Sequence, residues 1–434
     1  MSTEQIYQEF LLSTGICTDT RQQVEGKLFF ALKGDSFDGN NYVEDALEKG
    51  CRLAITERKD LAGQERIIAV PSALELLQSL AHHHRMQVAP KILAITGSNG
   101  KTTTKELVAA VLSTAYNLLA TSGNLNNHIG VPLTLLGLKN EELAVVEMGA
   151  NHPGEIAELA SIAAPDVGVI TNVGKAHLEG FGSLEGVLNA KSELYAYLAA
   201  HGGMALIDGG DKILRGKADE LGVAYGLIAP GKDLSVSVKL LEQNPKLEVE
   251  LTVGNEIHSF STGLVGAYNL QNILLAAACG VHFGIPGESI AAAISGYIPE
   301  NQRSQMIEGG RNRLVLDSYN ANPSSMREAI EALLSYGTAP LMLILGDMAE
   351  LGDSSEQEHR DLLHWIASRD VDRVLLAGPN FCQVHEPSAR MNAFMTRSEL
   401  EAQLLKEKPE GYHILVKGSR VMELEHLAPL LVIS

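Results

Sequence analysis

The stretch "AITGSNGKTTTKE", Ala94 to Glu106, decides how the chain is read. Its lead-in, "KILAI", is a short apolar run that reads as a buried strand. The next segment, "TTTKELVAAVLSTA", places Leu107, Val108, Val111 and Leu112 at helical spacing. Strand, glycine-rich turn and helix in that order suit a phosphate group. Unpaired N–H groups at the helix start point at the anion, and the helix dipole favours negative charge there. Gly97 and Gly100 let the backbone come close, Lys101 reaches the outer phosphates, and Thr102 offers its hydroxyl to Mg²⁺. Ser98, Asn99 and Thr103 complete the candidate nucleotide-binding turn. The spacing departs from the usual G-x-x-x-x-G-K pattern, because only Ser98 and Asn99 separate the two glycines. An ordinary strand-to-helix turn therefore stays open, and the rest of the chain must decide.

At 434 residues the chain exceeds what one core usually serves, so roughly three domains of about 150 residues are expected. A net charge of -19 argues against a broad nucleic-acid-binding surface, although a nucleotide pocket needs only a few local cations. Cys17, Cys51, Cys279 and Cys382 lie far apart without a CxxC pair, which points to small core residues rather than zinc or disulfides. "MSTEQIYQEFLLSTG" lacks a basic start and a long apolar core, and no run approaches the ~20 apolar residues of a membrane span. A cytoplasmic, monomeric protein is expected.

The first 88 residues, with "KLFFAL", "RLAIT", "RIIAV" and the helical "SALELLQSLAHHH", read as a small α/β domain ending near "QVAPK". His82, His83 and His84 resemble a metal tag, but consecutive helical residues point about 100° apart, so a solvated helix end is expected instead. Residues 89–298 alternate strands ("LAVVEM", "DVGVIT", "GMALID") with helices, the pattern of a parallel sheet covered by helices. "LEVELTV", Gly254-Asn255 and "EIHSF" interrupt it as a β-hairpin. After "GYIPENQRSQ", residues 299–434 restart the alternation with "RLVLD", "LMLILG", "RVLLAG" and "HILVKG". Gly346, Gly378 and Gly418 end three of these strands, and are expected either to line a cleft or to serve helix-capping turns. The fold class is α/β in three domains, the central one a P-loop parallel sheet with a β insertion and the last Rossmann-like.

Several polar residues sit where strands end. Glu147 closes "LAVVE", a place suited to an Mg²⁺ ligand, with a surface charge as the alternative. Asp317 closes "RLVLD" and is followed by "SYNANPSS", where turn chemistry and an N-cap would be the plain explanation for Asn320 and Asn322. His177 in "TNVGKAHLEGFG" and Lys191 in "LNAKSELYAYL" carry little signal alone, since most such residues are structural or solvated.

Taken together and in order, these motifs resemble the Mur ligases of bacterial cell-wall synthesis, over nearly the whole chain. "TDTR" with "GKLFFALKG" resembles the UDP-binding first domain; "GSNGKTTTKE", "GNLNNHIGVP", "EMGANHPGEI" and "NAKSE" resemble the ATPase domain. "DSYNANPSS", "GDMAELG" and "LVKGSR" resemble the third domain, and the pair "DSYNANP" with "GDMAELG" is the most discriminating. The resemblance implies ATP as the ligand of the shortened phosphate loop. It implies Glu147 and His177 around a second Mg²⁺, a carbamylated Lys191 as an anionic metal ligand, Asn272 at adenine, Asp317 at ribose and Arg303 at the γ-phosphate. Thr20, Arg21, Asn126 and Asn127 would contact a UDP-sugar.

The implied activity is ADP-forming amide ligation of D-alanyl-D-alanine to UDP-N-acetylmuramoyl-tripeptide through an acyl phosphate. Tyr268 departs from the family, where histidine often precedes the asparagine. A sibling ligase adding the third amino acid would carry Asp-Asn-Pro-Arg, which is absent here. A P-loop switch protein that uses ATP without joining substrates is the rival from another class.

Overall fold

The computed structural model describes residues 3–34, 37–299, 302–308, 310–336 and 340–432. Positions 300 and 301, within the "GYIPENQRSQ" stretch, lie outside the described residues.

The apolar run before the phosphate loop becomes the strand Lys91–Thr96, buried from residue 92 onward. A strand buried on both faces must have neighbours on both edges. Leu143–Glu147 pairs with it on one side and Val167–Ile170 on the other, both parallel. The six-stranded sheet runs Ala224–Ile228, Met204–Asp208, Val167–Ile170, Lys91–Thr96, Leu143–Glu147, Leu118–Ala120, parallel throughout. The chain leaves Lys91–Thr96 for one edge and later returns to build the other. That reversal opens a crevice at the carboxyl ends of the middle strands. Helix Lys101–Leu112 packs Leu107, Val108, Val111 and Leu112 against the sheet, all fully buried.

The expected hairpin is present as Lys246–Val253 and Glu256–Val265, and a third antiparallel strand, Val236–Gln243, joins it. That strand is mostly half-exposed, so its sequence lacks a clean alternating stripe.

The first sheet contains four parallel strands, Ile16–Cys17, Leu28–Phe30, Leu53–Thr56 and Ile67–Ala69. It does not stand apart from the central unit. Leu77 and Leu80 of helix Ala73–Val88 share one apolar cluster with Val131 and Leu135 of Gly130–Leu135 and with Leu159 of Glu155–Ala163.

The histidine run lies a turn before the end of that helix and is not solvated, contrary to the sequence expectation. Its members diverge, as the 100° step requires. His82 Nδ1 lies 3.1 Å from the Ile162 carbonyl, His83 faces Glu4 at 3.3 Å, and His84 is buried. Tyr7 donates to His84 Nδ1 at 3.2 Å, and His84 Nε2 donates to the Leu138 carbonyl at 2.8 Å. Both nitrogens of a neutral imidazole are thereby used, and burial holds His84 below its ordinary pKa.

The unfolded chain binds a proton near the usual ~6.5 that folded His84 refuses. Its contribution to stability is therefore complete above that pH and drains away as pH falls towards the lower folded value. Urea denaturation at about pH 7.5 and about pH 5.5 should show a larger acid-side loss in the native sequence than in His84→Gln. Equal losses would assign the acid sensitivity elsewhere.

The last sheet has the order Gln305–Ile307, Arg313–Asp317, His413–Lys417, Leu341–Gly346, Arg373–Ala377, Met391–Phe394, antiparallel only at its first pair. Separate apolar clusters cover its two faces. The glycines ending its strands do not line the cleft between the central and third sheets. Gly346 and Gly418 approach each other, a Cβ on Gly418 meeting the Gly346 backbone at 3.0 Å, and both pack on Leu424. Gly378 is the N-cap of helix Pro379–Val384, where a Cβ would strike the Asp347 carboxylate. Close packing explains two of the three, and a cap explains the other. Among the described residues no helix is long and apolar enough to cross a membrane.

Candidate functional site

The phosphate loop is held in shape by the turn after the neighbouring strand. Ser98 Oγ accepts from the Gly174 amide at 2.9 Å, the Asn99 amide donates to Asn172 Oδ1 at 3.0 Å, and Thr171 Oγ1 donates to the Asn99 carbonyl at 2.6 Å. Gly97 and Gly100 have φ values of +142° and +76°. Each also meets a neighbour closely, since a Cβ on Gly97 would strike Thr171 Oγ1 and one on Gly100 would strike Asn272 Oδ1. Only glycine meets both demands. Lys101 folds back on its own loop, donating to the carbonyls of Gly97 at 2.7 Å and Ser98 at 3.1 Å. Desolvation lowers its pKa to about 8, against the pull of Glu147.

Glu147 is buried at the end of its strand rather than exposed on the surface. Thr102 Oγ1 donates to its Oε2 at 2.8 Å and Asn126 Nδ2 to its Oε1 at 2.7 Å. Both carboxylate oxygens of this buried side chain are thereby held by neutral donors. His177 has a left-handed backbone, φ 51°, and its Nδ1 lies 2.6 Å from a carboxylate oxygen of Glu350. His177 lowers the pKa of Glu350 in turn.

Lys191 lies on helix Leu184–His201, as expected, but is fully buried rather than solvated. Its Nζ donates to the Ala150 carbonyl at 3.1 Å and sits 5.1 Å from the Phe181 ring centre. Desolvation, followed by repulsion from Lys101, brings its pKa down to about 7.

The third sheet closes the crevice from the opposite side. Asp317 accepts from Lys417 Nζ at 2.6 Å and from the Ser304 amide at 3.1 Å. Arg303 lies over the Tyr319 ring at 3.7 Å. Asn322 caps helix Pro323–Leu334 with a reciprocal Ser325 bond, which bears out the plain N-cap explanation. It does more, because its Nδ2 donates to Asn99 Oδ1 in the phosphate loop at 2.7 Å. The Asn320 carbonyl accepts from Lys417 at 3.1 Å. The Lys175–Glu358 ion pair at 2.6 Å and the close approach of His177 to Glu350 add two more polar contacts between the central and third sheets.

The result is a cleft of about 370 Å³ between them. Ser98, Asn99, Gly100, Lys101, Thr103, Asn126, Asn127, Glu147 and His177 line it from one side, with Asn272 at its floor. Arg303, Asp317, Asn320 and Asn322 line it from the other. Gly97, Thr102 and Lys191 lie outside its walls. Thr20 and Arg21 are not brought to it either: the Thr20 carbonyl accepts from Lys49 at 3.0 Å, and Arg21 forks onto Asp19.

Sequence reasoning did not single out Glu350, Lys417, Tyr319 or the Thr171–Asn172 brace. Each lies within a quoted motif, so the motif was visible while the partner of each side chain was not.

Residues 13–85, 95–280 and 302–420 match, in that order, the Mur ligase family catalytic domain, the Mur ligase middle domain and the Mur ligase glutamate ligase domain. The chain is 35% identical to the UDP-N-acetylmuramoyl-tripeptide--D-alanyl-D-alanine ligase of Bacillus subtilis (strain 168), covering 95% of this chain and 92% of the relative. A crystal structure of MurF from Acinetobacter baumannii superposes with a TM-score of 0.88 at 33% identity, covering 99% of this chain and 98% of that one. The MurF ligase of Thermotoga maritima in complex with ADP gives 0.85 at 28% identity, with 97% of each chain covered. With a braced phosphate loop facing a third domain across one cleft, and relatives matching from end to end, the chain belongs to the Mur ligase family.

Proposed function

We propose that this chain joins D-alanyl-D-alanine to UDP-N-acetylmuramoyl-tripeptide at the expense of ATP, with domains at 1–88, 89–298 and 299–434. The observation that carries the reading is one cleft lined by the phosphate loop, Glu147 and the strand-end turns of the third sheet. The tripeptide's terminal carboxylate attacks the γ-phosphorus of ATP, giving an acyl phosphate and ADP. The dipeptide amine then attacks the acyl carbon, phosphate leaves with the C–O electron pair, the nitrogen loses its proton, and an amide remains.

Two anions must meet in the first step, so fixed positive charge and positioning carry most of the catalysis. Lys101 and Arg303 supply the charge from opposite walls. The amides at the helix start, from Gly100 to Thr103, receive the phosphates, while those of Ser98 and Asn99 are committed to Asn172 and hold the loop in shape; Asn272 receives the adenine and Asp317 the ribose. Asn126 and Asn127, with Thr20 and Arg21, are assigned to the UDP-sugar.

The residues present fit Mg²⁺. Among the described residues no cluster of three or more His, Cys, Asp or Glu side chains forms a cage. Mg²⁺ needs none, because it is usually held by one or two carboxylates with phosphate oxygens and waters. Thr102 and Glu147 would hold one ion; Glu147, His177 and a carbamate on Lys191 would hold a second. Bound there, Mg²⁺ supplies charge neutralisation for the phosphoryl transfer.

ADP release should depend on both the UDP-muramoyl peptide and the dipeptide, in an assay offering lysine- and meso-diaminopimelate-containing tripeptides and alternative dipeptides. Release that ignores the dipeptide would favour the switch-protein reading. Asn320→Ala should impair D-Ala-D-Ala use more than ATP binding. In Asn322→Ala, loss of the cap should add about 1 kcal/mol of destabilisation. If ATP affinity falls while dipeptide dependence stays normal, these turns serve the nucleotide instead.

A further inference from the structure

Tyr268 makes contacts that give it a role beyond its place in the cleft wall. It is the N-cap residue of helix Asn269–His282, in the central domain, and lines the cleft. Its hydroxyl shares a 2.6 Å hydrogen bond with Ser304 Oγ, across the boundary to the third domain. Ser304 is buried and has φ 51°, a left-handed conformation that serine adopts only when held there. From that conformation its amide donates to Asp317 Oδ1, while Lys417 donates to Oδ2. Each carboxylate oxygen therefore has its own partner.

We infer that Tyr268 is a positioning residue for the nucleotide, acting through Ser304 to aim the Asp317 carboxylate at the ribose. The inference rests on the reading of Asp317 as the ribose contact. Tyr268 needs no contact with ATP in this role, because its hydroxyl fixes the strained residue whose amide fixes the carboxylate. Arg303, adjacent to Ser304, has its own contact, stacked 3.7 Å over the Tyr319 ring, and does not depend on that bond. A histidine here would be shorter than tyrosine and would leave Ser304 Oγ at a greater distance.

The test compares ATP with 2′,3′-dideoxy-ATP in the native sequence, Tyr268→Phe, Ser304→Ala and Asp317→Asn. Tyr268→Phe should raise KM for ATP about fivefold, the effect of one lost hydrogen bond, with kcat within about twofold. Its preference for ATP over the dideoxy nucleotide should shrink by a similar factor. Ser304→Ala, which keeps the amide, should reproduce both shifts, and the double variant should be no worse than either single one. If Asp317→Asn loses the preference while Tyr268→Phe and Ser304→Ala keep it, the positioning role is overturned and the ribose contact stands. If Asp317→Asn also keeps the preference, the ribose contact fails and the inference fails with it.

Discussion

Lys101→Ala is expected to lower turnover by on the order of 10²-fold or more while the protein stays folded. The ammonium now satisfies itself on the Gly97 and Ser98 carbonyls, two contacts within its own loop. Both are local to the turn, and the loop keeps its brace from Thr171, Asn172 and Gly174 without them. Desolvation has brought the amine to about 8, so it is still mostly protonated at neutral pH. An incoming triphosphate favours the charged form further, and the charge that spreads over the γ-phosphoryl oxygens in the transition state is where that favour is largest. Losing one such preorganised group typically costs about 3–4 kcal/mol of barrier. Steady-state kcat and a thermal unfolding curve on the same preparation check both halves of the expectation. Near-normal turnover would end the phosphate-loop reading.

The loop was legible because its signal is local. A strand, two glycines, a lysine and a helix occupy consecutive residues, and each has a stereochemical reason to be there. Strand–helix alternation and the Gly254-Asn255 hairpin were legible for the same reason. What could not be read concerns which distant surface a side chain meets. Apolar spacing on helix Ala73–Val88 marks Leu77 and Leu80 as buried, but not that their cluster extends into the central domain. His84 carries no sequence mark of the Leu138 carbonyl waiting for it, 54 residues along the chain. Glu147 and Glu350 both act electrostatically on Lys101, yet only Glu147 ends an apolar strand and so announces itself. Lys191 was the hardest case: its helix mixes polar and apolar residues without a sharp stripe, so nothing local distinguishes it from a solvated lysine.

That burial is what gives the second large effect its physical basis. An ammonium beside Mg²⁺ would repel the ion, whereas CO₂ added to a neutral amine leaves an anionic oxygen of the kind Mg²⁺ prefers. The addition requires the amine to be neutral. With its pKa brought to about 7 by desolvation and by Lys101, roughly half of Lys191 is neutral at pH 7, against a trace for an exposed lysine. The reactive fraction falls as pH drops through 7, so carbamate-dependent activity should fall on the acid side and recover when bicarbonate is supplied near neutrality. Lys191→Ala should lose most activity, by on the order of 10²-fold if it removes a metal ligand. A small carboxylate such as formate or acetate, able to occupy the vacated space beside the Ala150 carbonyl and the Phe181 ring, should restore part of it. Removing a buried amine also leaves a cavity, so the unfolding curve of Lys191→Ala is measured alongside, and rescue that raises activity without raising its midpoint identifies a chemical rather than a packing deficit. Full activity of the unrescued variant at low Mg²⁺ would reject the carbamate and leave Lys191 as a buried structural lysine.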